Sequence, residues 1–366
     1  MVPFAGFDMP VVYKNQSHID SHHWVRNKVG LFDVSHMLQH KVKGKNADAF
    51  LQKICPIDLS ALNNFTSSLT VLLNEEGGIL DDCIVTKQND NEYYMVTNAG
   101  CRGQDTEFIK REVQKFSEVG HYTFESTLLA VQGPEAASLM QKFTNVDLKK
   151  LFFGHSVYTN LSSAVGSEIH LARCGYTGED GFELSIPSSN PQQIAEAQDF
   201  FRILINDYPD LVRPIGLAAR DSLRLEAGMC LYGNDLTADV TPVQANLTWL
   251  IPKSRRSLNE SATFNGAEKI ISQISDRSSF PSRRVGIRSF GPSPRLGNKI
   301  FSSDGSELIG SITSGSPSPS LGGNVAQGYV NHGHKIGSNI KIEIRGKLRD
   351  ATISKMPFVP NHFYRG

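Results

Sequence analysis

Apolar and polar residues change rhythm several times along this chain, and the changes mark its elements. Residues 17–29 read as a short helix that Ser17 can cap and Gly30 can end in a left-handed conformation. The run QHKVKGKNADAFLQKI predicts a strand and then a helix from about Asn46. From 68 to 98 the pattern turns to period two, as LTVLLN, GILDDCIVTK and EYYMVTN, broken by the turns EEGG and QNDN. These predict consecutive antiparallel strands. Residues 102–116 read as a helix, HYTFESTLLAVQG as strand, and PEAASLMQKFT as a helix opened by Gly133-Pro134. HLARCGYTGEDGFELSIP predicts two strands around a glycine-rich turn, and 191–206 and 216–228 are helical. Strands and helices alternate irregularly, which favours an α+β body over a doubly wound parallel sheet.

Near residue 275 the texture shifts. DRSSFPSRRVG has the polar, proline-bearing composition of a linker. After it come the short strand-like runs RRVGIRS, KIFS, ELIGSITS, VAQGYV, NIKIEIR and ATISKMPF, with no long helix between them. That pattern predicts an all-β barrel or sandwich of about 80 residues. The expected division is a body at 1–275 and a β module at 276–366.

Composition narrows the function classes. With 366 residues the chain exceeds one ordinary core. Lys plus Arg equals Asp plus Glu at 37 each, so no overall field favours nucleic acid or an anionic membrane. The basic groups Lys253, Arg255 and Arg256, and Arg283 with Arg284, read as solvated surface. Five cysteines, with no C-x-x-C, fit neither a disulfide framework nor a zinc site. There is no P-loop, no G-x-G-x-x-G after a strand and no G-x-S-x-G elbow. His18 and His22 have a zinc-compatible spacing but no acidic third ligand close in sequence, so surface histidines are expected. The opening MVPFAGFDMP is neither Arg-rich and amphipathic nor a signal peptide, and it begins abruptly, as if the natural protein extended upstream.

Three patterns carry candidate chemistry. Asp81-Asp82 lies in an apolar strand, where alternation places Asp81 with Ile79 and Cys83, and Asp82 with Leu80 and Ile84. Spacing does not choose between the two, nor between a functional aspartate and a fraying strand end beside the GG turn. Arg220 and Arg224 share one helix face, suited to acidic small molecules, although spacing alone favours a surface helix of alternating charge. Glu179, Asp180 and Glu183 surround a turn that could be a solvated hairpin, with Glu183 set between Phe182 and Leu184.

Eleven segments together resemble the aminomethyltransferase family of the glycine cleavage system. They are FAGFDMP (4–10), GLFDVSHM (30–37), NEEGGILDD (74–82), VTNAG (96–100), RCGYTGEDGFE (173–183), GLAARDSLRLEAG (216–228), LYGND (231–235), TPVQANLTW (241–249), ITSGSPSPSL (312–321), GYV (328–330) and SKMPFVP (354–360). They occur in the family's order over nearly the whole chain, and the last resembles mitochondrial members. The resemblance implies a three-domain cloverleaf, with two interleaved mixed α/β domains and a C-terminal barrel. It implies transfer of a one-carbon unit from the aminomethyl-dihydrolipoyl arm of H-protein to tetrahydrofolate, without a metal, in the mitochondrial matrix. It maps the catalytic aspartate to Asp82. It maps folate-site positions to Met37, Asn98, Tyr176, Glu183, Arg220 and Trp249, and more loosely to Arg295 and Tyr364. Phe7, Leu38 and Gln244 depart from the family's tryptophan, glycine and glutamate, and the family's segment before VPFAG is absent. Two alternatives share part of the pattern: folate-binding relatives of iron–sulfur assembly, which carry their own cysteine motif, and the folate domain of dimethylglycine or sarcosine dehydrogenases, which adds a flavin domain.

Overall fold

The computed structural model describes residues 1–162, 165–258 and 263–366. A hairpin of β1 (Val2–Phe4) and β2 (Phe7–Met9) leads into α1 (His18–Asn27), whose first turn is capped by Ser17 Oγ accepting from the Asp20 amide at 3.0 Å. The helix stops two residues earlier than the sequence suggests. Gly30 does not end it; it lies in β3 (Val29–Asp33), where an added Cβ would sit 2.5 Å from Val25. Close packing of strand on helix, not a left-handed turn, requires this glycine.

The chain then leaves that sheet and builds a second one. β4 (Leu38–Lys43), α2 (Ala47–Ile54), β5 (Thr66–Leu73), β6 (Ile79–Asn89), β7 (Glu92–Thr97), α3 (Arg102–Val113) and β8 (Gly120–Phe124) follow, with strand order β5-β6-β7-β4-β8. Its core holds Val42, Phe50, Leu51, Ile54, Leu72 and Val85. The stretch expected to be one strand across 121–133 breaks at Glu125. β8 stays in this sheet, and β9 (Ser126–Gln132) returns to pair with β3.

The first sheet is completed by β10 (Ser156–Thr159), β11 (Ile169–Ala172), β12 (Gly181–Pro187) and β13 (Val212–Pro214), in the order β10-β11-β12-β9-β3-β13. Helices α4 (Ala136–Met140) and α5 (Pro191–Asn206) are interspersed, α5 capped by Asn190. The two body sheets are therefore interleaved in sequence, one bracketing the other. The helix α6 (Leu217–Glu226) follows β13, and α7 (Ala267–Ser275), an element not expected from the sequence, packs beneath β5 and β6.

The six strand-like runs of the C-terminal region are six strands: β14 (Ser282–Ser289), β15 (Lys299–Phe301), β16 (Leu308–Pro317), β17 (Asn324–Asn331), β18 (Asn339–Ile344) and β19 (Lys347–Ser354). They close as β14-β17-β16-β15-β18-β19, with β14 pairing to β19, over an Ile- and Val-rich interior. Closure removes the exposed strand edges. The α+β body with a C-terminal barrel is thus the architecture. Among the described residues no helix is long and apolar enough to cross a membrane.

Helix α6 sits at the junction of body and barrel, and here the expected surface helix is wrong. Arg224 is 2% exposed, held by Asp235 Oδ2 at 2.7 Å, Ser314 Oγ at 3.0 Å and the Met229 carbonyl at 3.1 Å. Glu226 is fully buried. It accepts from Arg26 Nη2 at 2.9 Å, Ser318 Oγ at 2.6 Å and Ser320 Oγ at 2.7 Å, with His22 Nε2 at 3.1 Å. His22, expected at the surface, is therefore a buried partner of this helix, and His18 Nε2 lies 2.8 Å from Ser222 Oγ. The presumed solvated turn is likewise structural, since Glu179 binds Arg26 at 2.9 Å and Asp180 pairs with Arg173. Two basic residues read as surface are also internal: Arg255 donates to the Gln52 carbonyl at 2.6 Å, and Arg284 to that of Ala245 at 2.7 Å. Each pairs charge with a buried acceptor, so charge alternation in sequence marked an interface between elements rather than solvent.

Candidate active site

Strand β6 carries the aspartate pair, and its alternation holds from Asp81 onward; a bulge opposite Leu72 and Leu73 interrupts it at Leu80. Asp81 and Cys83 are buried toward the second sheet's core, against which Leu80 also packs, while Asp82 and Ile84 are half-buried on the other face and Ile79 joins the cluster with α7. The turn after β7 supplies Asn98, whose amide Nδ2 donates to Asp81 Oδ1 at 2.9 Å, Asp82 Oδ1 at 3.0 Å and the Asp82 carbonyl at 3.1 Å. Its backbone N–H donates to Asp81 Oδ2 at 2.8 Å. One asparagine therefore fixes both carboxylates. Burial, followed by the charge of Asp81, pushes the Asp82 carboxyl up to about 7. Burial raises Asp81 as well.

The next wall comes from the segment before β12 and from α6. The Tyr176 phenol donates to the Cys230 carbonyl, and the Arg220 guanidinium lies 4.7 Å from its ring centroid, a cation–π distance. Burial raises the Tyr176 phenol, and the charges of Arg224, Asp82 and Arg220 all reach it. Glu183 projects from β12; burial raises its carboxyl, while Arg220 and the Cys174 thiol oppose the rise. Met37 packs half-buried against the neighbouring cluster of Tyr94, Val96, Ala219 and Leu223. Asp82, Asn98, Tyr176, Glu183, Arg220 and Met37 thus line connected parts of one region.

The three other sequence candidates stand on other elements. Trp249 is 65% exposed on a short turn, Thr248–Leu250. Arg295 is in the barrel, donating to the Gly315 carbonyl at 3.2 Å beside a shallow depression of about 240 Å³. Tyr364 belongs to a C-terminal tail laid back over the body. Its hydroxyl donates to the Lys149 carbonyl at 3.1 Å and its ring stacks on Phe152 at 5.9 Å, with the Arg173 guanidinium 4.1 Å from its centroid. Along the same tail the Phe358 and Val359 amides donate to the Glu226 carbonyl, and His362 Nδ1 lies 2.9 Å from Glu179.

A cavity of about 450 Å³ opens on the other side of Arg220, beneath the N-terminal hairpin, bounded by Asp8, Tyr13, Lys14, Asp33 and His36. Burial and the nearby Arg220 hold His36 down to about 4, hence neutral. Arg220 is shared between this cavity and the Tyr176–Glu183 wall. Of the departures from the family pattern, Phe7 forms part of the hairpin's aromatic face over His36 at 6.2 Å. Leu38 is buried at the start of β4. The Gln244 side chain closes its own turn, accepting from the Thr241 amide at 3.1 Å.

Sequence reasoning missed Asp105. It lies on α3 directly behind Asp81, wholly buried, with burial and Asp81 pushing it up to about 9. The signal was present: Cys101, Asp105, Phe108, Ile109 and Glu112 recur at helical spacing, so this acid occupies the buried stripe of α3. Among the described residues, Asp81, Cys101 and Asp105 form the one group of acids and thiols gathered closely enough to share a proton or a cation.

The chain matches the model of the GCVT N-terminal domain over residues 1–255 and that of the glycine cleavage T-protein C-terminal barrel domain over 283–360. It is 46% identical to the mitochondrial aminomethyltransferase of Saccharomyces cerevisiae, covering 100% of this chain and 92% of that protein. It is also 46% identical to the mitochondrial aminomethyltransferase of Pisum sativum, covering 100% and 87%. The crystal structure of the glycine cleavage system aminomethyltransferase T from Bartonella henselae superposes with a TM-score of 0.87 at 36% identity, covering 100% of this chain and 95% of that one. With both family models matched in order and whole-length relatives of this identity, the chain belongs to the aminomethyltransferase family, the T-protein of the glycine cleavage system, and is a transferase.

Proposed function

We propose that Asp82 is the carboxylate that works in one-carbon transfer from an aminomethyl-dihydrolipoyl H-protein to tetrahydrofolate. The products are 5,10-methylenetetrahydrofolate, ammonia and dihydrolipoyl H-protein. The observation that carries the reading is the environment of Asp82: a half-buried carboxyl held in place by Asn98, with its proton affinity moved to about 7. A group poised there can take or return a proton near neutrality. As the aminomethyl carbon loses its sulfur partner it becomes cationic and iminium-like, and an ionised, pre-oriented carboxylate stabilises that charge. N5 of the folate then attacks the carbon and its proton passes, through the same carboxylate, to the amine, which leaves as ammonia; N10 closes the second C–N bond, and its proton goes to the lipoyl thiolate.

The remaining residues divide the work of holding folate. Glu183 suits the edge of the pterin that presents a 2-amino group and N3–H side by side, because a carboxylate accepts two such donors. Arg220, between Glu183 and Tyr176, supplies the cation that keeps Glu183 ionised when ligand excludes water. Met37 contributes an apolar surface and Tyr176 an aromatic wall. Trp249 is a further aromatic candidate for the folate site, with Arg295 and Tyr364 as looser candidates.

The body is taken to end at residue 275 and the barrel to begin at 276, in the polar stretch between α7 and β14. Mitochondrial residence follows the named relatives, and the matrix is the compartment proposed. The partners are lipoylated H-protein and tetrahydrofolate, with no role assigned to a metal, nucleic acid or membrane. The test is formation of methylenetetrahydrofolate that depends on both aminomethylated H-protein and tetrahydrofolate. A chain that binds folate but produces nothing from the loaded carrier refutes the reading.

A further inference from the structure

Behind Asp82 lies a carboxyl group that the reaction above leaves unused. The Asp105 and Asp81 carboxylates and the Cys101 thiol all lie within 4.8 Å of one another, and all three residues are buried. Neither oxygen of Asp105 has a donor at full hydrogen-bond geometry, and the Thr97 hydroxyl is the neutral donor near it. Asp81, by contrast, has both oxygens engaged by Asn98. Two ionised carboxylates at this distance in a dry site repel strongly, and a single proton between them removes the repulsion and supplies the missing donor.

Among the described residues, the groups that act most strongly on the pair include no cation. From β6 come Asp81, Asp82 and Cys83, from the turn before α3 Cys101, from β7 Thr97, and from the loop after α6 Tyr232. Beyond Thr97 stand His40, whose Nε2 is 3.0 Å from Thr97 Oγ1, and His121, 2.9 Å from His40 Nδ1. Burial holds these two histidines down to about 3 and about 4, so both are neutral near physiological pH.

We propose that Asp105 is a neutral carboxylic acid that donates its proton to Asp81, so that the pair carries one negative charge and, through Asn98, fixes the orientation of Asp82. Asp105 is a positioning residue, acting on Asp82 only through Asp81 and Asn98. The proton stays within the pair and nothing is consumed. Only the last step, the effect on turnover, rests on Asp82 being the working carboxylate.

Infrared difference spectroscopy of the full chain, wild type against Asp105→Asn, tests the proton without substrate. The expected result is a carboxylic-acid C=O band near neutral pH that shifts in deuterium oxide and is lost in the variant. Absence of that band, or a stoichiometric divalent ion found by metal analysis, overturns the proposal. Kinetics test the positioning. Asp105→Ala should lower kcat at least about tenfold with the folate KM within about twofold, and Asp105→Asn, whose amide donates as the acid does, should recover most of it. An Asn variant as poor as the Ala variant overturns the positioning role. Should Asp105→Ala not fold, the infrared band and the Asn variant still decide. If the band is present while Asp82→Asn is fully active, the proposed function fails and the shared proton stands.

Discussion

Glu226 joins four separately folded pieces, so its replacement by glutamine is a severe test of how the barrel is held to the body. Its carboxylate is fully buried and meets Arg26 from α1, His22 from the same helix, Ser318 Oγ, and both the amide and hydroxyl of Ser320 from the barrel loop. Its backbone carbonyl holds the C-terminal tail through the Phe358 and Val359 amides. Glutamine keeps the shape and one acceptor oxygen, but turns an N–H2 toward groups that are themselves donors. The charge of Arg26 then loses one of two carboxylate partners, leaving only Glu179. Breaking a buried pair of this kind costs about 3–5 kcal/mol. If the whole chain melts together, the unfolding entropy expected for its size converts that to roughly 4–7 °C in Tm. The partners hold the Glu226 carboxyl well below its ordinary value of 4.5, so the stabilisation is present in full above that value and is lost as pH falls through the lower native one. The wild-type advantage over Glu226→Gln should therefore be undiminished near neutrality and shrink only at acid pH. Calorimetric melts of both proteins across that range measure it. Equal melting temperatures at neutral pH would refute the reasoning, as would a difference that grows on acidification.

Other outcomes follow from the same structure. Glu183→Gln and Arg220→Ala should each weaken tetrahydrofolate binding by roughly 1.5–3 kcal/mol in isothermal calorimetry with unchanged circular dichroism, and wild-type affinity in Glu183→Gln would remove its pterin role. Asp81→Asn takes away the charge that helps raise Asp82, so the acidic limb of the kcat profile should move to lower pH; an unmoved limb would show that burial alone sets it. Gly78→Ala would drive a Cβ to 1.7 Å from the Ala238 carbonyl oxygen at the start of β6, and chemical denaturation should register a loss of at least about 1–3 kcal/mol.

Much of the fold was legible because its elements obey local periodicity. The six barrel strands fell where short alternating runs were separated by turn residues, and α5 begins at the proline that follows its capping Asn190. Alternation alone also placed Asp81 and Asp82 on opposite faces of β6. The failures have a common cause. His22, Arg224, Glu226, Asp180 and Arg284 looked solvated because charged residues usually are, yet each is satisfied by a partner on another element or across a turn, from Arg173 for Asp180 up to the pairing of α1 with the barrel loop. Gly30 failed for a related reason: a glycine demanded by close tertiary approach looks the same in sequence as one demanded by a turn. Within the candidate site, composition could show that an aspartate in a strand is costly, but not which one. The choice of Asp82 came from resemblance; Asn98 holds both carboxylates and does not by itself choose between them. Asp105 carries no motif of its own, and its partner Asp81 stands on another element, so nothing near it in sequence marks it as part of the site.

The most direct test of the central claim is the pH dependence of kcat for H-protein-dependent formation of methylenetetrahydrofolate, in the wild type and in Asp82→Asn. The wild-type rate should rise as Asp82 ionises, with a limb near 7. Asp82→Asn should bind folate normally, turn over at least about a hundredfold more slowly, and lose the limb. An Asp82→Asn enzyme that keeps the limb, or whose loss is small and no greater than that of Asp81→Asn, would contradict the assignment.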